Sequence, residues 1–348
     1  RKPKLAGYAI DFLRMNRRMH NKSFIVDGVA AVIGGRNIGD EYFQVGDNPF
    51  YVDMDVVAFG AVVPETASIF DDYWNSASVF ELERIVQGPG DLQSFLSGAA
   101  EAEASDAAQQ FRDAYADTAA RIAADELSLE WTTVQVVADD PVKGEGTARR
   151  DHLMITRLGD IMGEVRSRLD VVSAYFVPGD AGTGYLSEQA RNGRQVRVLT
   201  NALNTTDVLL VHSGYSKYRR ALLEAGVALY ELKLRAGQTP GKAELQTLGL
   251  SGASLHAKTF AIDGDRVFVG SFNFDPRSAT LNCEMGFLID SDTMAGSVHR
   301  AFDETLATVS YRPELTPENR LVWHESLPDG QTLTYQGEPD ANWVEQVS

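Results

Sequence analysis

Short apolar runs that end in polar turns recur along the chain and predict strands paired into hairpins. The first hairpin turns at Asp27-Gly28, a dipeptide that readily adopts the tight turn between antiparallel strands. A second hairpin of the same form turns at Asp263-Gly264, and a third strand-like run follows each hairpin. The sequence therefore predicts two copies of one three-stranded unit. The predicted strands are 23–26, 29–33 and 53–59 in the first copy, and 259–262, 266–269 and 284–290 in the second.

Helical patterns surround these hairpins. Pro64 suits the first turn of a helix over 63–74, and the stretch 99–127, rich in Ala, Glu, Asp and Gln, is typical of solvated helices. Between residues 152 and 233 helices and strands alternate in a βαβ order. The fold class that we predict is α/β, with two lobes that each hold a mixed, mostly parallel sheet flanked by helices. The alternating elements are helix 152–169, strand 171–177, helix 185–191, strand 196–199, helix 215–224 and strand 228–232, and a last helix covers 291–308.

The chain length and the position of the two copies predict how the lobes divide. At 348 residues the chain is long enough for two ordinary cores, and a polar, turn-rich stretch at 139–146 marks their boundary. About 100 residues of βαβ pattern precede His256, whereas 19 residues precede His20. We therefore expect a first lobe truncated at its N-terminus, which another piece or a partner chain would complete. The predicted division is 1–138 for this partial lobe, 139–150 for a linker, 151–312 for the second lobe, and 313–348 for a C-terminal tail without regular period that lies over the surface.

The charge balance and the cysteine count limit the classes of partner. The formal net charge is −17, so most of the surface would repel a polyphosphate, and we expect no nucleic-acid partner. The single cysteine, Cys283, excludes an internal disulfide, and its apolar neighbours predict an inert, buried thiol. No apolar run approaches the roughly 20 residues that span a bilayer. A local basic stretch at the start of the chain carries Arg1, Lys2, Lys4, Arg14, Arg17, Arg18 and Lys22.

The most specific feature is a set of polar residues that repeats at matching offsets. In each copy a His is followed two residues later by a Lys, and then by an Asp, a Gly-containing turn and an Asn. Side chains two apart on a strand point to the same side, and glycine lets the backbone bring the Asn back toward them. A single His-x-Lys is usually a surface pair, but two matching copies predict catalysis. The residues are His20, Lys22, Asp27, Gly34, Gly35 and Asn37 in the first copy, and His256, Lys258, Asp263, Gly270, Ser271 and Asn273 in the second.

Two imidazoles that face one phosphorus can divide a displacement between them. One His attacks the phosphodiester to form a phosphohistidine, and the other protonates the departing alkoxide and later activates the incoming hydroxyl. The spacing does not decide which His attacks, and we favour His20. Lys22 and Lys258 suit the phosphoryl oxygens as point charges, and the two Asn side chains can donate hydrogen bonds to them. We expect neither a metal ion nor a cofactor.

Carboxylates are expected to hold the histidines. A carboxylate on the second ring nitrogen fixes the tautomer and stabilises the imidazolium, and Asp53 and Glu284, at matching positions in the third strands, are the candidates. Asp27 and Asp263 belong to the motifs but lie at hairpin turns. We therefore expect them to be structural.

Further residues are candidates for substrate contact. For Tyr175, at the end of a strand, packing is an equal alternative. Tyr215 lies with His212, Tyr218 and Arg219 at a helix start, where they could bind an anionic head group or be solvated helix residues. The full set predicted to contact substrate is Gly35, Ser271, Tyr175 and Tyr215, while His152, His299 and His324 have no partner pattern and are expected to be structural.

The paired motifs resemble those of the phospholipase D superfamily, whose bilobal members place one motif in each half of a shared active site. A narrower similarity is to the bacterial cardiolipin synthase branch, particularly its C-type enzymes, and it runs from about residue 14 to residue 310. The segments that carry it are Arg18-Met-His-Asn-Lys-Ser-Phe, Gly34-Gly-Arg-Asn-Ile-Gly-Asp-Glu-Tyr-Phe, Tyr175-Phe-Val-Pro-Gly, His212-Ser-Gly-Tyr and Ser271-Phe-Asn-Phe-Asp-Pro-Arg-Ser.

The resemblance implies phosphatidyl transfer at a membrane surface. A phosphatidylglycerol or phosphatidylethanolamine donor would give a phosphatidyl-histidine, which the hydroxyl of a second phosphatidylglycerol attacks to make cardiolipin. It also implies a peripheral protein on the cytoplasmic face of the bacterial inner membrane. Three alternatives stay open: a phospholipase D-type hydrolase, a nuclease of the same superfamily, and a non-enzymatic module that binds lipid or a partner.

Overall fold

A computed structural model of the protein describes residues 16–43, 45, 51–86, 88, 90–124, 126, 129–206, 208–233, 254–327 and 329–339. The strands are β1 (Ser23–Val26), β2 (Ala30–Gly34), β3 (Tyr51–Val52), β4 (Asp55–Phe59), β5 (Val134–Ala138), β6 (Arg168–Ser173), β7 (Gln195–Asn201), β8 (Ala228–Leu232), β9 (Ser254–Leu255), β10 (Lys258–Ile262), β11 (Arg266–Gly270), β12 (Met285–Asp290), β13 (Ser310–Leu315), β14 (Leu321–Ser326) and β15 (Thr332–Tyr335). The α-helices are α1 (Val62–Trp74), α2 (Leu82–Ile85), α3 (Leu92–Glu103), α4 (Asp106–Ala123), α5 (Val142–Glu145), α6 (Met154–Met162), α7 (Gly179–Arg191), α8 (Leu209–Glu224), α9 (Pro276–Thr280), α10 (Asp292–Arg300) and α11 (Leu306–Val309). A π-helical turn, Ala301–Thr305, joins α10 to α11, and 3₁₀ turns lie at Asp40–Tyr42 and Arg150–His152.

One large mixed sheet dominates the described part of the chain. Its strand order is β15-β14-β13-β8-β7-β6-β10-β11-β12-β5, and a smaller antiparallel sheet has the order β1-β2-β4. The parallel pairings of the large sheet are β6–β7 and β7–β8, whose crossovers contain α7 and α8. The predicted α/β fold with a mixed sheet flanked by helices is confirmed. The expectation of mostly parallel sheets is wrong, because hairpins and the C-terminal strands add antiparallel neighbours on both sides.

Both hairpins form at the predicted Asp-Gly turns. Asp27 and Gly28 have φ angles of 50° and 68°, and Asp263 and Gly264 have φ angles of 56° and 85°. Two consecutive residues in this left-handed region give a turn whose twist matches that of the flanking strands. The turns connect β1 to β2 and β10 to β11 in antiparallel pairs. The two copies of the unit therefore share one backbone geometry.

The large sheet is buried on both faces. Alternate residues of β10 point to opposite sides, so Phe260 joins one apolar cluster and Ala261 joins the other. The cluster around Ala261 also contains Ile33 of β2 and Val63 of α1, so it fastens the small sheet to the large one. The cluster around Phe260 includes Leu186 of α7. Each large apolar side chain buried in this way contributes about 1.5–3 kcal/mol relative to exposure.

The C-terminal region is more regular than the sequence predicts. From residue 310 the chain forms β13, β14 and β15, and β13 pairs with β8 to extend the large sheet. Trp323 is buried, and its Nε1 donates a hydrogen bond to Glu231 Oε2 at 2.9 Å. The expected irregular surface tail is wrong for these residues, because contacts that are distant in sequence stabilise them. Residues 340–348 of that tail lie outside the described residues.

Several boundaries also differ from those expected. The helix predicted over 152–169 is α6 alone, because Gly163, with φ of 64°, ends it before β6 begins. β5 lies in the predicted first lobe but pairs with β12 of the large sheet. The four-part division of the chain remains a proposal. The exposed helices expected within 99–127 are present, and Cys283 is buried as expected.

The sequence predicts no membrane-spanning segment and a basic stretch near the start of the chain. None of the described helices combines the length and hydropathy needed to cross a bilayer. Of the basic residues near the start of the chain, Arg1, Lys2, Lys4 and Arg14 lie outside the described residues.

Candidate active site

Each motif histidine is held by a carboxylate from the other copy. His20 Nδ1 lies 2.8 Å from Glu284 Oε2, and His256 Nδ1 lies 2.6 Å from Asp53 Oδ2. The sequence predicts both carboxylates but not the histidine that each one meets. The exchange places both motifs at a single site between the two copies.

Two short parallel pairings between the copies position the histidines. β3 pairs with β9, and the backbone N–H of His256 donates to Val52 O at 2.7 Å. At the equivalent place Met19 forms a parallel bridge with Cys283, and the N–H of His20 donates to Cys283 O at 2.9 Å. In both cases the backbone group that accepts this bond belongs to the residue just before the carboxylate. The backbone of each histidine therefore lies next to the carboxylate residue that holds its imidazole ring.

The carboxylate of Glu284 is fully buried and hydrogen-bonded at both oxygens. Ser271 Oγ donates to Oε2 at 2.6 Å, and Ser278 Oγ donates to Oε1 at 2.8 Å. Burial opposes the charge of Glu284, but the hydrogen bonds and the attraction of His20 lower its pKa below the ordinary value. The group is therefore an anion that holds His20 in one orientation.

The second carboxylate depends on a glycine. A Cβ atom added to Gly35 would lie 2.3 Å from Asp53 Oδ1, so only glycine leaves room for this carboxylate. Burial opposes the charge of Asp53, but Lys258 and the hydrogen bond from His256 lower its pKa. Gly35 and Ser271 thus both contact the carboxylates. Their predicted contact with substrate remains a prediction.

The two motif lysines bring positive charge to the site. Lys22 Nζ donates to His20 O at 2.8 Å, and Lys258 Nζ donates to His256 O. Burial and the neighbouring charge of Lys258 lower the pKa of Lys22 to about 8. The two ammonium groups therefore favour a bound anion at the site, and a phosphoryl group is such an anion.

His256 is the more enclosed of the two imidazoles. Its side chain is 7% exposed, against 24% for His20. Burial and the charge of Lys258 lower the pKa of His256 to about 4, so its ring is neutral at pH 7. Because Nδ1–H donates to Asp53, the lone pair lies on Nε2. This nitrogen can attack an electrophile or take a proton.

Tyrosines surround His256. Asn37 Nδ2 donates to Tyr42 Oη at 2.8 Å, and this oxygen lies 3.4 Å from His256 Nε2. The ring of Tyr42 stacks on Tyr51 with centroids 4.8 Å apart, and burial raises the pKa of Tyr42 to about 12. Neither tyrosine is predicted from the sequence, because an isolated aromatic residue in a 3₁₀ turn or a two-residue strand follows no period. The one sequence signal for Tyr42 is that it belongs to the segment from Gly34 to Phe43, which carries part of the family resemblance.

Tyr175 and Asn273 line the same site. The backbone N–H of Tyr175 donates to Asn273 Oδ1 at 3.4 Å, and the Tyr175 ring centroid lies 6.4 Å from that of His256. Tyr175 therefore lies beside the second motif and His256. Contact between Tyr175 and the substrate remains a prediction.

Tyr215 is not brought to the site. It is 1% exposed, and its hydroxyl donates to Glu231 Oε1 at 3.0 Å. Arg219 lies 2.9 Å from the same Glu231 and 2.7 Å from Glu338, which also contacts His212 at 2.5 Å. The alternative that these are solvated helix residues is wrong, because this side of α8 is buried. The cluster joins α8 to the C-terminal strands.

The Asp residues of the two motifs lie at the hairpin turns, away from the histidines. Asp263 Oδ1 accepts hydrogen bonds from the backbone N–H groups of Ser167 at 2.7 Å and Arg168 at 3.0 Å. Burial opposes this charge, but the N–H groups hold the pKa of Asp263 well below its usual range. Asp27 has the matching left-handed turn conformation. Both placements agree with structural roles.

A buried ion pair lies behind Glu284. Lys143 Nζ donates to Asp139 Oδ2 at 2.7 Å and to Ser278 O at 2.8 Å, and the N–H of Glu284 donates to Asp139 Oδ2 at 2.8 Å. Both members of the pair are 2% exposed. The sequence predicts a polar linker at this place, because the charges alone give no sign of burial. They instead support the backbone of the Glu284 site.

Within the described residues, no group of three or more His, Cys, Asp or Glu side chains is arranged to hold a metal ion. The predicted absence of a metal and of a cofactor remains a prediction.

Known proteins are similar to this chain in sequence and in fold. A family profile described as "Cardiolipin synthase, PLD-like domain" matches residues 158–306. Cardiolipin synthase C of Escherichia coli K12 is 43% identical over 327 residues, which cover 91% of this chain and 68% of that protein. An uncharacterized protein of Helicobacter pylori 26695 is 28% identical over 342 residues, covering 96% of this chain and 65% of that protein. The crystal structure of phosphatidylserine synthase from Haemophilus influenzae Rd KW20 shares the fold, with a TM-score of 0.53 and 14% identity over 94% of this chain and 65% of that chain.

Proposed function

Since the chain belongs to the cardiolipin synthase family of phospholipase D-like proteins, we propose that it transfers a phosphatidyl group between phospholipids and makes cardiolipin. The observation that carries this proposal is the exchanged pairing of the motif histidines with Glu284 and Asp53. This pairing orients two imidazoles beside two ammonium groups. Such groups can carry out and stabilise a displacement at a phosphodiester.

In the first half-reaction His256 attacks and His20 acts as the acid. His256 Nε2 forms a bond to the phosphorus of the donor lipid, and the bond from phosphorus to the head-group oxygen breaks. His20 gives its proton to that oxygen, so the head group leaves with a neutral hydroxyl and not as an alkoxide. The anionic Asp53 stabilises the positive charge that develops on His256. The enclosure and neutrality of His256 favour it as nucleophile over His20, which we favoured from the sequence.

In the second half-reaction the acceptor restores the enzyme. His20, now neutral, takes the proton from the acceptor hydroxyl, whose oxygen attacks phosphorus. The phosphorus–nitrogen bond breaks, and its electron pair returns to His256. Lys22 and Lys258 offset the negative charge of the phosphoryl oxygens in both steps, with the two motif Asn side chains as further donors.

The donor in this proposal is phosphatidylglycerol, phosphatidylethanolamine or both, and the acceptor is phosphatidylglycerol. Hydrolysis is the second candidate, because water and a lipid hydroxyl are activated by the same His20. A nuclease is disfavoured by the formal net charge of −17.

A product analysis tests the proposal. Vesicles of phosphatidylglycerol incubated with the protein should yield cardiolipin and glycerol. Phosphatidic acid and glycerol without cardiolipin would identify a hydrolase instead. Retained turnover in both His20→Ala and His256→Ala would exclude the two-histidine mechanism. Lipid binding by the wild type without any turnover would favour a non-enzymatic binding module.

The proposed location is the cytoplasmic face of the bacterial inner membrane, with peripheral attachment. The first lobe would be completed by an N-terminal piece or a partner. This part of the proposal is supported by the outer face of the small sheet, where Phe24, Val32 and Val57 are cross-strand neighbours. Phe24 is 66% exposed and Val57 is 54% exposed, so an apolar surface is available for such a contact.

A further inference from the structure

An apolar cavity of about 530 Å³ lies between α6, the start of α7 and the loop after β11. Its wall includes Leu158, Val171, Phe260, Phe272 and Phe274. The size is within the range of small-molecule sites, and the lining suits a hydrocarbon. None of the residues given a catalytic role above lines it.

The cavity and the active site share their walls. Asn273 faces the site, and the next residue, Phe274, lines the cavity, so one peptide unit separates them. In α9, Ser278 bonds to Glu284, whereas the following Ala279 lines the cavity. The loop after β6, which carries Tyr175 at the site, likewise continues to Pro178 at the cavity.

Close packing maintains this shared wall. A Cβ atom at Gly182 would lie 2.8 Å from the Phe274 ring, so α7 approaches the ring as closely as glycine allows. The N–H of Val177 donates to Phe274 O at 2.9 Å. Phe274 is thus fixed between the site and the cavity.

We propose that this cavity holds one acyl chain of the phospholipid substrate while the phosphodiester lies between the two histidines. The inference rests on the proposed phospholipid substrate. A lipid that spans both places has its charged part at Lys22 and Lys258 and its apolar part beside Phe274. The carboxylates of Asp180 and Asp275 at the cavity disfavour a free fatty acid anion, whereas an ester-linked chain carries no charge there.

A chain-length series tests the proposal. Soluble dihexanoyl- and dioctanoyl-phosphatidylglycerol are compared below their critical micelle concentrations in wild type, Gly159→Trp and Gly184→Trp. Gly159 of α6 lines the cavity and Gly184 of α7 does not, and an added Cβ meets no atom within 4 Å at either position. Both variants should therefore fold, and circular dichroism melting checks this.

In wild type, kcat/KM should rise by up to about fourfold for each methylene that enters the cavity. Gly159→Trp should flatten this dependence and leave the dihexanoyl rate within about twofold of wild type. Gly184→Trp should keep the wild-type dependence. A Gly159→Trp protein with an unchanged chain-length dependence, or an equal loss in both variants, would overturn the proposal.

A binding readout separates this inference from the proposed function. Dioctanoyl-phosphatidylglycerol that carries a diazirine at the end of one acyl chain is photolysed in the presence of the intact protein. The modified peptides are then mapped. Labels in 154–163 or 272–280 support the cavity even if no cardiolipin forms. Labels confined to other segments overturn it even if turnover is normal.

Discussion

His20 contacts Glu284 across 264 positions of sequence, with 2.8 Å between Nδ1 and Oε2. His256 and Asp53 form the reciprocal contact at 2.6 Å. Neither motif histidine is paired with the carboxylate of its own copy. The chemistry proposed above therefore depends on how the two copies meet.

Replacing either carboxylate by its amide should slow phosphatidyl transfer strongly. Glu284→Gln and Asp53→Asn keep shape but lose the charge that orients and stabilises the imidazolium, and a comparable change in a Ser-His-Asp triad lowers kcat about 10⁴-fold. We expect losses of about 10²–10⁴-fold in single-turnover rate. The single-turnover rate of Asp27→Asn, a change at the exposed turn, should stay within about twofold of wild type, because both histidine–carboxylate pairs remain intact. Near-normal rates in both amide variants would contradict the assigned roles.

The covalent intermediate should form on His256. A short-chain phosphatidylglycerol analogue quenched during turnover should leave a modification on the peptide that contains His256, because this ring is neutral and enclosed. His20→Ala, which removes the proposed acid, should still be labelled when the leaving group is an activated phenol. Label on the His20 peptide instead would reverse the two roles.

The buried state of His256 should also make stability depend on pH. Its folded pKa of about 4 lies below the ordinary 6.5, so between these values the unfolded chain binds a proton that the folded chain does not. The free energy of unfolding should therefore rise with pH through this window, by at most about 1.4 kcal/mol per pH unit from this group. Urea unfolding of His256→Gln at pH 5 and pH 7 should show a smaller rise than wild type. An equal rise would assign the dependence to other groups.

The ion pair behind Glu284 should be important for stability as well as for activity. Lys143→Met leaves Asp139 buried without its cation, and breaking such a pair typically costs about 3–5 kcal/mol. The double variant Lys143→Met/Asp139→Asn removes both charges and should recover part of this loss in urea unfolding. If the double variant is less stable than Lys143→Met, hydrogen bonds to Asp139 outweigh its unpaired charge.

The motif residues could be predicted from sequence because matching offsets were enough to identify them. Local pattern also gave the Asp-Gly hairpins, since turn chemistry depends on two adjacent residues. The exchange of carboxylates could not be predicted, because it depends on the β3–β9 and Met19–Cys283 pairings between distant segments. Trp323 was missed for a similar reason. Its partner Glu231 lies 92 positions away, and no repeat marks either residue.

Charged residues were misjudged where burial was supplied by tertiary structure. Lys143 and Asp139 have the composition of a solvated linker, and Arg219 that of a helix surface. In each case a partner charge makes burial tolerable, and that partner comes from fold geometry. Composition alone reports the charge and not its partner.

Because the carboxylates are exchanged, the proposed chemistry requires both copies to be folded and in contact. A half-folded chain presents a histidine whose ring is free to rotate and lacks the anion that would stabilise its charged form. We expect such an intermediate to be a poor catalyst of the proposed phosphatidyl transfer. The proposed cleavage of lipid is therefore expected only after both copies have folded and come into contact.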